Sequence, residues 1–246
     1  GLRGGKWMIE IAEEERKRLG IVLQNRYNEN SLRAKELIDR KELGAVKGIK
    51  GIVTWHRDKK YYDSATWRGK WSTEGGGVLI NQAIHTLDLM QWLVGEVESI
   101  NGNVNTRQLQ KSIEVEDTAD ATLYFENGVT GIFYATNCFS TNSPVEIEID
   151  CELGKIIIYG GNLTVEYKSK DSETKKNFRD DNNTEYTSYW GYGHRKLIDD
   201  YYKDIVNNEN KNIITAKEGI KSLKIVKGIY KSSMLKREIS MSTSLP

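Results

Sequence analysis

The chain has 246 residues, of which 38% are hydrophobic and 29% charged, ordinary values for a globular protein with a sizeable core. Its 36 basic and 35 acidic side chains leave a formal net charge of +1, which excludes a global electrostatic attraction for nucleic acid or an anionic membrane. No apolar run approaches the roughly 20 residues of a membrane helix, and Cys138 and Cys151 are too few for a disulfide framework or a zinc site. These features predict a cytoplasmic protein without a bound metal.

The N-terminal part of the chain alternates helix and strand patterns once. Four elements are predicted there, namely an amphipathic helix, a short buried strand, a second helix and a long strand, over 7–18, Ile21–Leu23, Ser31–Arg40 and 46–57. Gly20 ends the first helix, and Tyr61–Trp71 is a loop dense in aromatic and basic side chains. Helix, strand and helix in succession are typical of a parallel α/β unit.

The segment Gly75–Leu93 carries the most informative pattern. Three glycines lead into an apolar run in which Asn81, His85, Asp88 and Trp92 recur at spacings of four, three and four. This spacing predicts a buried helix with one polar face. A histidine in such a setting can exchange a proton near neutral pH, but a buried histidine satisfied by its own helix gives the same pattern. The pattern alone leaves both interpretations open.

Beyond Gly95 the sequence predicts strands joined by short turns, with Asn127–Gly128 as one hairpin signal. Six strands are predicted, over 97–104, 118–125, 129–136, 145–151, 155–159 and 163–167. Their order indicates an antiparallel meander. A polar stretch over 168–188 predicts a long exposed loop, and helices over 194–206 and 216–234 follow. The fold class is therefore α+β, an open, mostly antiparallel sheet with helices packed on one face.

With these elements in order, the chain resembles the glucose–fructose oxidoreductase / inositol dehydrogenase (Gfo/Idh/MocA) family. The glycine-led segment 75–88 is similar to the family's glycine pair followed by Asp-x-x-x-His and then Asp. Supporting matches are Val22–Asn28, Trp55–Asp58, Glu116–Ala119 with Asn127–Gly128, and Tyr192–His194. The resemblance implies an NAD(P)-dependent dehydrogenase of sugars, cyclitols and related polyols. It further implies a Rossmann domain for the cofactor and a second domain whose open sheet mediates dimers or tetramers.

The N-terminal end of the sequence departs from the family pattern. No G-x-G-x-x-G occurs, and the family's Glu-Lys-Pro motif, expected just before the helix that contains Trp7, is missing. A dinucleotide site needs the glycine-rich turn, because pyrophosphate binds backbone N–H groups at a helix start. The resemblance then implies that residues 1–28 are the last helix and strand of a Rossmann domain and residues 29–246 the substrate-binding and oligomerisation domain. NAD or NADP is expected in the intact protein, without tight binding to this chain alone.

Oxidation of a sugar alcohol removes a hydride from carbon and a proton from the hydroxyl group, so the site needs a positioned base. By resemblance His85 is that base. Asn81, at the position of the family's aspartate, orients a hydroxyl or the imidazole without taking a proton. Substrate contacts are expected from seven further residues, Arg26, His56, Asp58, Trp67, Arg68, Tyr192 and His194. A strand-end role remains open for Arg26, His56 and Asp58, and a packing role for the loop that carries Trp67 and Arg68. Asp88 either orients a neighbour or caps backbone.

Two functions from different classes fit these observations. The first is the substrate-binding part of an oxidoreductase, with a small polyol or sugar as ligand and a homodimer or homotetramer formed through the open sheet. The second is a non-catalytic domain that binds a carbohydrate or only dimerises, which Asn81 and the missing lysine favour. Replacement of His85 by alanine separates them, because an enzyme would lose turnover and a binding domain would not.

Overall fold

Alternating apolar and polar side chains build one open sheet. The computed structural model describes residues 1–168, 173–179, 193–209, 211 and 213–242. Within these residues the sheet has nine strands: β1 Val46–Thr54, β2 Val97–Asn105, β3 Thr118–Phe125, β4 Thr130–Thr136, β5 Glu146–Cys151, β6 Gly154–Tyr159, β7 Asn162–Lys168, β8 Glu173–Arg179 and β9 Ile239–Ser240.

The helices of the described residues come before, between and after the strands. The α-helices are α1 Leu2–Glu14, α2 Glu29–Asp39, α3 Lys59–Asp63, α4 Ile84–Val94, α5 Gly193–Val206 and α6 Ala216–Leu235. A 3₁₀ turn covers Gln24–Tyr27, and a π-helical turn covers Leu79–Ala83 directly before α4. The predicted helices over 31–40, 194–206 and 216–234 are confirmed with nearly the same ends. The first helix lies earlier than predicted.

The strand order is β8-β7-β6-β5-β1-β4-β3-β2-β9. β1 and β4 run parallel, and all other neighbours in this order are antiparallel. The predicted meander is wrong at one point, because β1 lies between β4 and β5. The segment between β4 and β5 crosses the end of β1, where the Ser143 N–H donates to the Thr54 carbonyl at 2.9 Å. The first strand of the chain thereby becomes central.

Helices α2, α4 and α6 cover one face of this sheet and share its hydrophobic core. Two glycines of the sheet allow helices α4 and α6 to approach it closely. A Cβ at Gly51 of β1 would lie 2.5 Å from the Met90 sulfur of α4, and a Cβ at Gly102 of β2 would lie 3.0 Å from Ile229 of α6. On the opposite face Ile132 is 54% exposed. The open, mostly antiparallel sheet with helices on one face is confirmed.

Two local predictions are wrong. Ile21–Leu23 is not a strand; among the described residues the only ladder-like contacts beside it are the isolated bridge of Gly20 with Thr215 and the Ile21 N–H donating to Ile214 O. Ile21 and Leu23 pack in a separate small cluster with Leu197, away from the sheet, while Val22 is exposed. The second error is in the predicted loop over 168–188, where β8 forms an edge strand on β7. An edge strand facing water needs little apolar content, so its sequence resembles a loop.

Candidate functional site

A cavity of about 290 Å³ lies beside the helix that carries His85. The segment around the 3₁₀ turn, the end of β1, the π turn with α4, the segment before β5 and the β6–β7 turn all contribute to it. Its described lining residues are Gln24, Asn25, Asn28, Asn30, Trp55, Gln82, His85, Thr86, Asn142, Ser143, Pro144, Val145, Tyr159, Gly160, Gly161 and Asn162. Concave sites with convergent polar groups are the usual binding sites of small molecules.

The start of the His85 helix is held by a buried carboxylate. Glu116 is 2% exposed, and its Oε1 accepts the N–H groups of Gly77 and Leu79 at 2.9 and 3.0 Å and the Tyr230 hydroxyl at 2.8 Å. Burial raises the pKa of Glu116, and these donors oppose that rise. A Cβ at Gly77 would lie 1.9 Å from the Glu116 carbonyl oxygen, so only glycine fits. The helix start is therefore fixed in place.

The π turn decides which side chains reach the cavity. Gln82, His85 and Thr86 line it, three and four residues apart as on one helical face. Asn81 is not among the described lining residues, and its Nδ2 donates to Glu74 Oε1 at 2.7 Å. The structure thus gives the Asn81 amide a structural partner instead of a place beside His85. π turns are common at functional sites because they shift helix phase locally.

His85 lines the cavity, and its surroundings affect its pKa. Burial lowers the pKa of His85 below its ordinary value; the Asp88 charge opposes this, and the His194 charge adds to it. The imidazole is consequently neutral at neutral pH, the form that accepts a proton. Its Nδ1 is buried and has no hydrogen-bond partner among the described residues.

Arg26 and Asp88 form a buried ion pair behind the cavity. Arg26 Nε and Nη2 donate to the two Asp88 oxygens at 2.8 and 2.7 Å, and the Ser222 hydroxyl donates to Asp88 Oδ1 at 2.7 Å. Arg26 is 8% exposed and is not among the described lining residues. Arg26 is thus held by Asp88, and its contact with substrate stays a prediction. The Asp88 carboxylate accepts from side chains of Arg26 and Ser222.

Three other predicted contacts lie on the surface outside the described cavity lining. His56 is exposed, with Nδ1 bound to Phe139 O at 2.8 Å. Asp58 is the N-cap of α3 and accepts the Tyr61 N–H at 2.9 Å. Trp67 is 43% exposed. For these residues the structure supplies the strand-end and loop roles that the sequence had left open.

The remaining two predictions concern the region of α5. His194 lies in the first turn of α5, and its charge influences His85. Tyr192 lies outside the described residues. Gly193, which begins α5, packs on the 3₁₀ turn, since a Cβ there would lie 2.1 Å from Gln24 O. The start of α5 therefore approaches the segment that lines the cavity.

A polar network connects the aromatic loop to the cavity. Gln82 Nε2 donates to the Tyr61 hydroxyl at 3.1 Å, while Gln82 Oε1 accepts from Asn137 Nδ2 at 3.1 Å. Arg68 also donates to the Tyr61 hydroxyl, and its guanidinium stacks 4.3 Å from the Tyr61 ring and 4.5 Å from the Trp67 ring. Among the described residues, Arg68 is thus connected to the cavity through Tyr61 and Gln82.

The sequence analysis missed Gln82, Gln24 and Asn28 as site residues. Gln82 has a detectable signal, because it lies three residues before His85 on the same helical face. Gln24 and Asn28 flank Arg26 inside a motif already noted, and no periodicity marks them. Their side chains contribute the buried Oε1 and Oδ1 atoms that have no partner among the described residues.

The described residues do not fit the pyrophosphate of a dinucleotide. Such a group needs a glycine-rich turn with available N–H groups at a helix start. Gly75–Gly77 is a glycine cluster that leads into a helix from a loop. Its Gly77 N–H is bound to the Glu116 carboxyl group, and the Val78 N–H donates to the Glu116 carbonyl at 3.1 Å. This helix start already holds its own carboxylate.

A family model described as the GFO/IDH/MocA C-terminal domain matches residues 31–157, just over half of the 246 residues. The chain belongs to this family of oxidoreductases. Levoglucosan dehydrogenase of Pseudarthrobacter phenanthrenivorans is 26% identical over 216 residues, which cover 70% of this chain and 54% of that protein. The chain therefore spans about half the length of this curated relative.

Solved structures match nearly all of the chain. The WlbA dehydrogenase from Bordetella pertussis, solved with NADH and UDP-GlcNAcA, is 28% identical with a TM-score of 0.81, over 99% of this chain and 69% of that one. Levoglucosan dehydrogenase with NADH and levoglucosan has a TM-score of 0.84 over 98% of this chain and 71% of that one, at 20% identity, which shows the fold alone. Among the described helices, none has the length and apolarity that a membrane span requires.

Proposed function

We propose that this chain is the substrate-binding and oligomerisation part of an NAD(P)-dependent oxidoreductase acting on a sugar, cyclitol or related polyol, with His85 as acid/base. The observation that carries the proposal is the half-buried imidazole of His85, whose pKa is lowered by burial, in a cavity where seven of the sixteen described lining residues are carboxamides. Hydroxyl groups both donate and accept hydrogen bonds, so a polyol matches such a lining. Membership of the oxidoreductase family supports the reaction type.

In this proposal His85 takes the proton of the reacting hydroxyl and returns it when the reaction runs backwards. Positioned general bases contribute about 10²–10⁴-fold to rates. Gln82 is held by Asn137 and Tyr61, so its amide has a fixed orientation beside the histidine. The Arg26–Asp88 pair holds the back of the same helix and places a carboxylate near the imidazole.

The cofactor would be bound by a part of the complete protein other than the residues described here. Two of the similar structures were solved with NADH. Residues 1–28 would be the end of the nucleotide-binding domain, and residues 29–246 would form the substrate domain. The described residues supply no cradle for the pyrophosphate of the nucleotide.

We also propose that a second copy of the chain covers the open face of the sheet. Ile132 and Tyr134 of β4 are 54% and 37% exposed there, next to Lys50 of β1. Lys50 lies between Glu146 and Glu148 of β5, with nitrogen–oxygen distances of 2.8 and 3.3 Å. An apolar strip with a compensated charged border is typical of an interface between copies.

Histidine NMR on this chain tests the site directly. D-glucose, myo-inositol and levoglucosan are titrated in turn as neutral polyol probes. The proposal predicts that at least one of them shifts the His85 side-chain resonances saturably and leaves those of His56 in place, because His56 lies outside the described cavity lining. If no probe of the series perturbs His85 at saturating concentration, the proposed site is wrong.

A further inference from the structure

The chemistry of the cavity lining narrows the class of substrate. Seven of its described residues are carboxamides: Gln24, Asn25, Asn28, Asn30, Gln82, Asn142 and Asn162. Within the described lining there is no Asp, Glu, Lys or Arg. Carboxamides carry both donors and acceptors and no net charge. A ligand with many hydroxyl groups and no charge complements such a surface.

The cationic side chains around the cavity have partners within the protein. Arg26 makes its bidentate pair with Asp88. Arg57 lies with its guanidinium 5.0 Å from the rings of both Trp55 and Tyr61, and it donates to Asn142 Oδ1 at 2.8 Å. A binding site for an anionic sugar usually presents a guanidinium or ammonium group to the ligand itself. These two arginines instead bind groups of the protein around the cavity.

An aromatic surface completes the lining. Trp55 lies at the end of β1, and its indole N–H donates to the Ser143 carbonyl at 3.0 Å. With the polar edge of the indole engaged, the ring contributes apolar area to the cavity. Apolar ring faces pack against the C–H faces of sugars and cyclitols. An apolar ring beside carboxamides is a combination suited to an uncharged polyol.

We propose that the site takes a neutral polyhydroxylated substrate, such as a free hexose, a cyclitol or an anhydrohexose, and discriminates against uronates, sugar phosphates and nucleotide sugars. The inference rests on the proposed function, since it concerns the same cavity. It separates this chain from the WlbA dehydrogenase, which was solved with UDP-GlcNAcA, despite 28% identity.

Matched pairs of probes test the charge preference. D-glucose is compared with D-glucuronate, and myo-inositol with an inositol monophosphate, by ligand-observed NMR with the chain as it is. We expect the neutral member of a pair to bind at least about tenfold tighter. Equal or tighter binding of an anionic member overturns the inference and leaves the polyol site standing. Binding of no probe overturns the proposed function and this inference with it.

A charge added to the wall provides a second test. Asn162 begins β7, lines the cavity and is exposed, so Asn162→Lys should fold normally. It is expected to shift the glucuronate-to-glucose affinity ratio about tenfold toward the anion. The matched control is Asn101→Lys on the exposed side of β2, which should leave the ratio unchanged. An unchanged ratio in Asn162→Lys, with the same thermal unfolding as wild type, contradicts the inference.

Discussion

The two sides of the cavity are built differently. On one side the His85 helix is anchored by buried carboxylates, Glu116 at its start and Asp88 one turn after the histidine, and each accepts several hydrogen bonds. On the other side two residues are exposed, Asn142 in the loop before β5 and Asn162 at the start of β7. A base must be held precisely for proton transfer, whereas a wall that selects substrates can vary. Under the proposed function, the chemistry would reside on the anchored side and the specificity on the exposed side.

The largest expected effect is a loss of unfolding free energy on removal of the Asp88 carboxylate, which holds the His85 helix. Asp88→Ala leaves Arg26 buried without its bidentate partner, which should cost about 3–5 kcal/mol of unfolding free energy. Urea denaturation measures this cost. Glu96→Ala is the control, because it breaks the exposed pair with Lys221 and should cost less than about 1 kcal/mol. Similar losses in the two variants would contradict the anchoring role.

Gly77→Ala tests the second contact that holds this helix, the one between Gly77 and Glu116. The new methyl group would meet the Glu116 carbonyl, so we expect a loss of about 1–3 kcal/mol and displacement of the helix start. Gly4→Ala in α1 is the matched control, because a Cβ there meets no atom within 4 Å, and it should be neutral or stabilising. Equal thermal midpoints for the two variants would show that the helix start tolerates movement.

A smaller effect is expected from pH. Because the pKa of His85 is lowered in the folded state, the unfolded chain binds the proton more tightly, and stability falls as pH drops below about 6.5. The contribution is at most about 1.4 kcal/mol per pH unit. His85→Gln should remove this part of the pH dependence, measured by denaturation between pH 5 and pH 8. His56→Gln, an exposed histidine outside the described cavity lining, is the control. An unchanged slope in His85→Gln would contradict the assigned shift.

The smallest effect on the folded monomer is expected on the open face of the sheet. Ile132→Lys should change unfolding free energy by less than about 0.5 kcal/mol, because the side chain is largely exposed. It should nevertheless weaken self-association at least about tenfold, as measured by analytical ultracentrifugation. Leu153→Lys, at an equally exposed apolar residue outside β4, is the control. Self-association that is unaffected by Ile132→Lys would rule out this interface.

Local sequence patterns predict the helices and strands well. They do not predict which distant strands pair or which distant side chains bind each other. The strands from β2 to β7 were found because alternation is a local signal. The insertion of β1 between β4 and β5 was not, because it depends on pairing between distant segments. The pairing of Arg26 with Asp88 was missed for the same reason, since Asp88 lies 62 residues away. The π turn that moves Asn81 out of the cavity lining likewise has no signal in the residue pattern.

The most direct test of the central claim is the turnover of the complete protein, with a neutral polyol and NAD, before and after His85→Gln. The account predicts that kcat falls about 10²–10⁴-fold while thermal unfolding is preserved, and that the residual rate loses the acid limb of the pH profile. A variant that keeps its turnover, or changes only ligand affinity, would contradict a catalytic role for His85 and would favour a non-catalytic carbohydrate-binding domain.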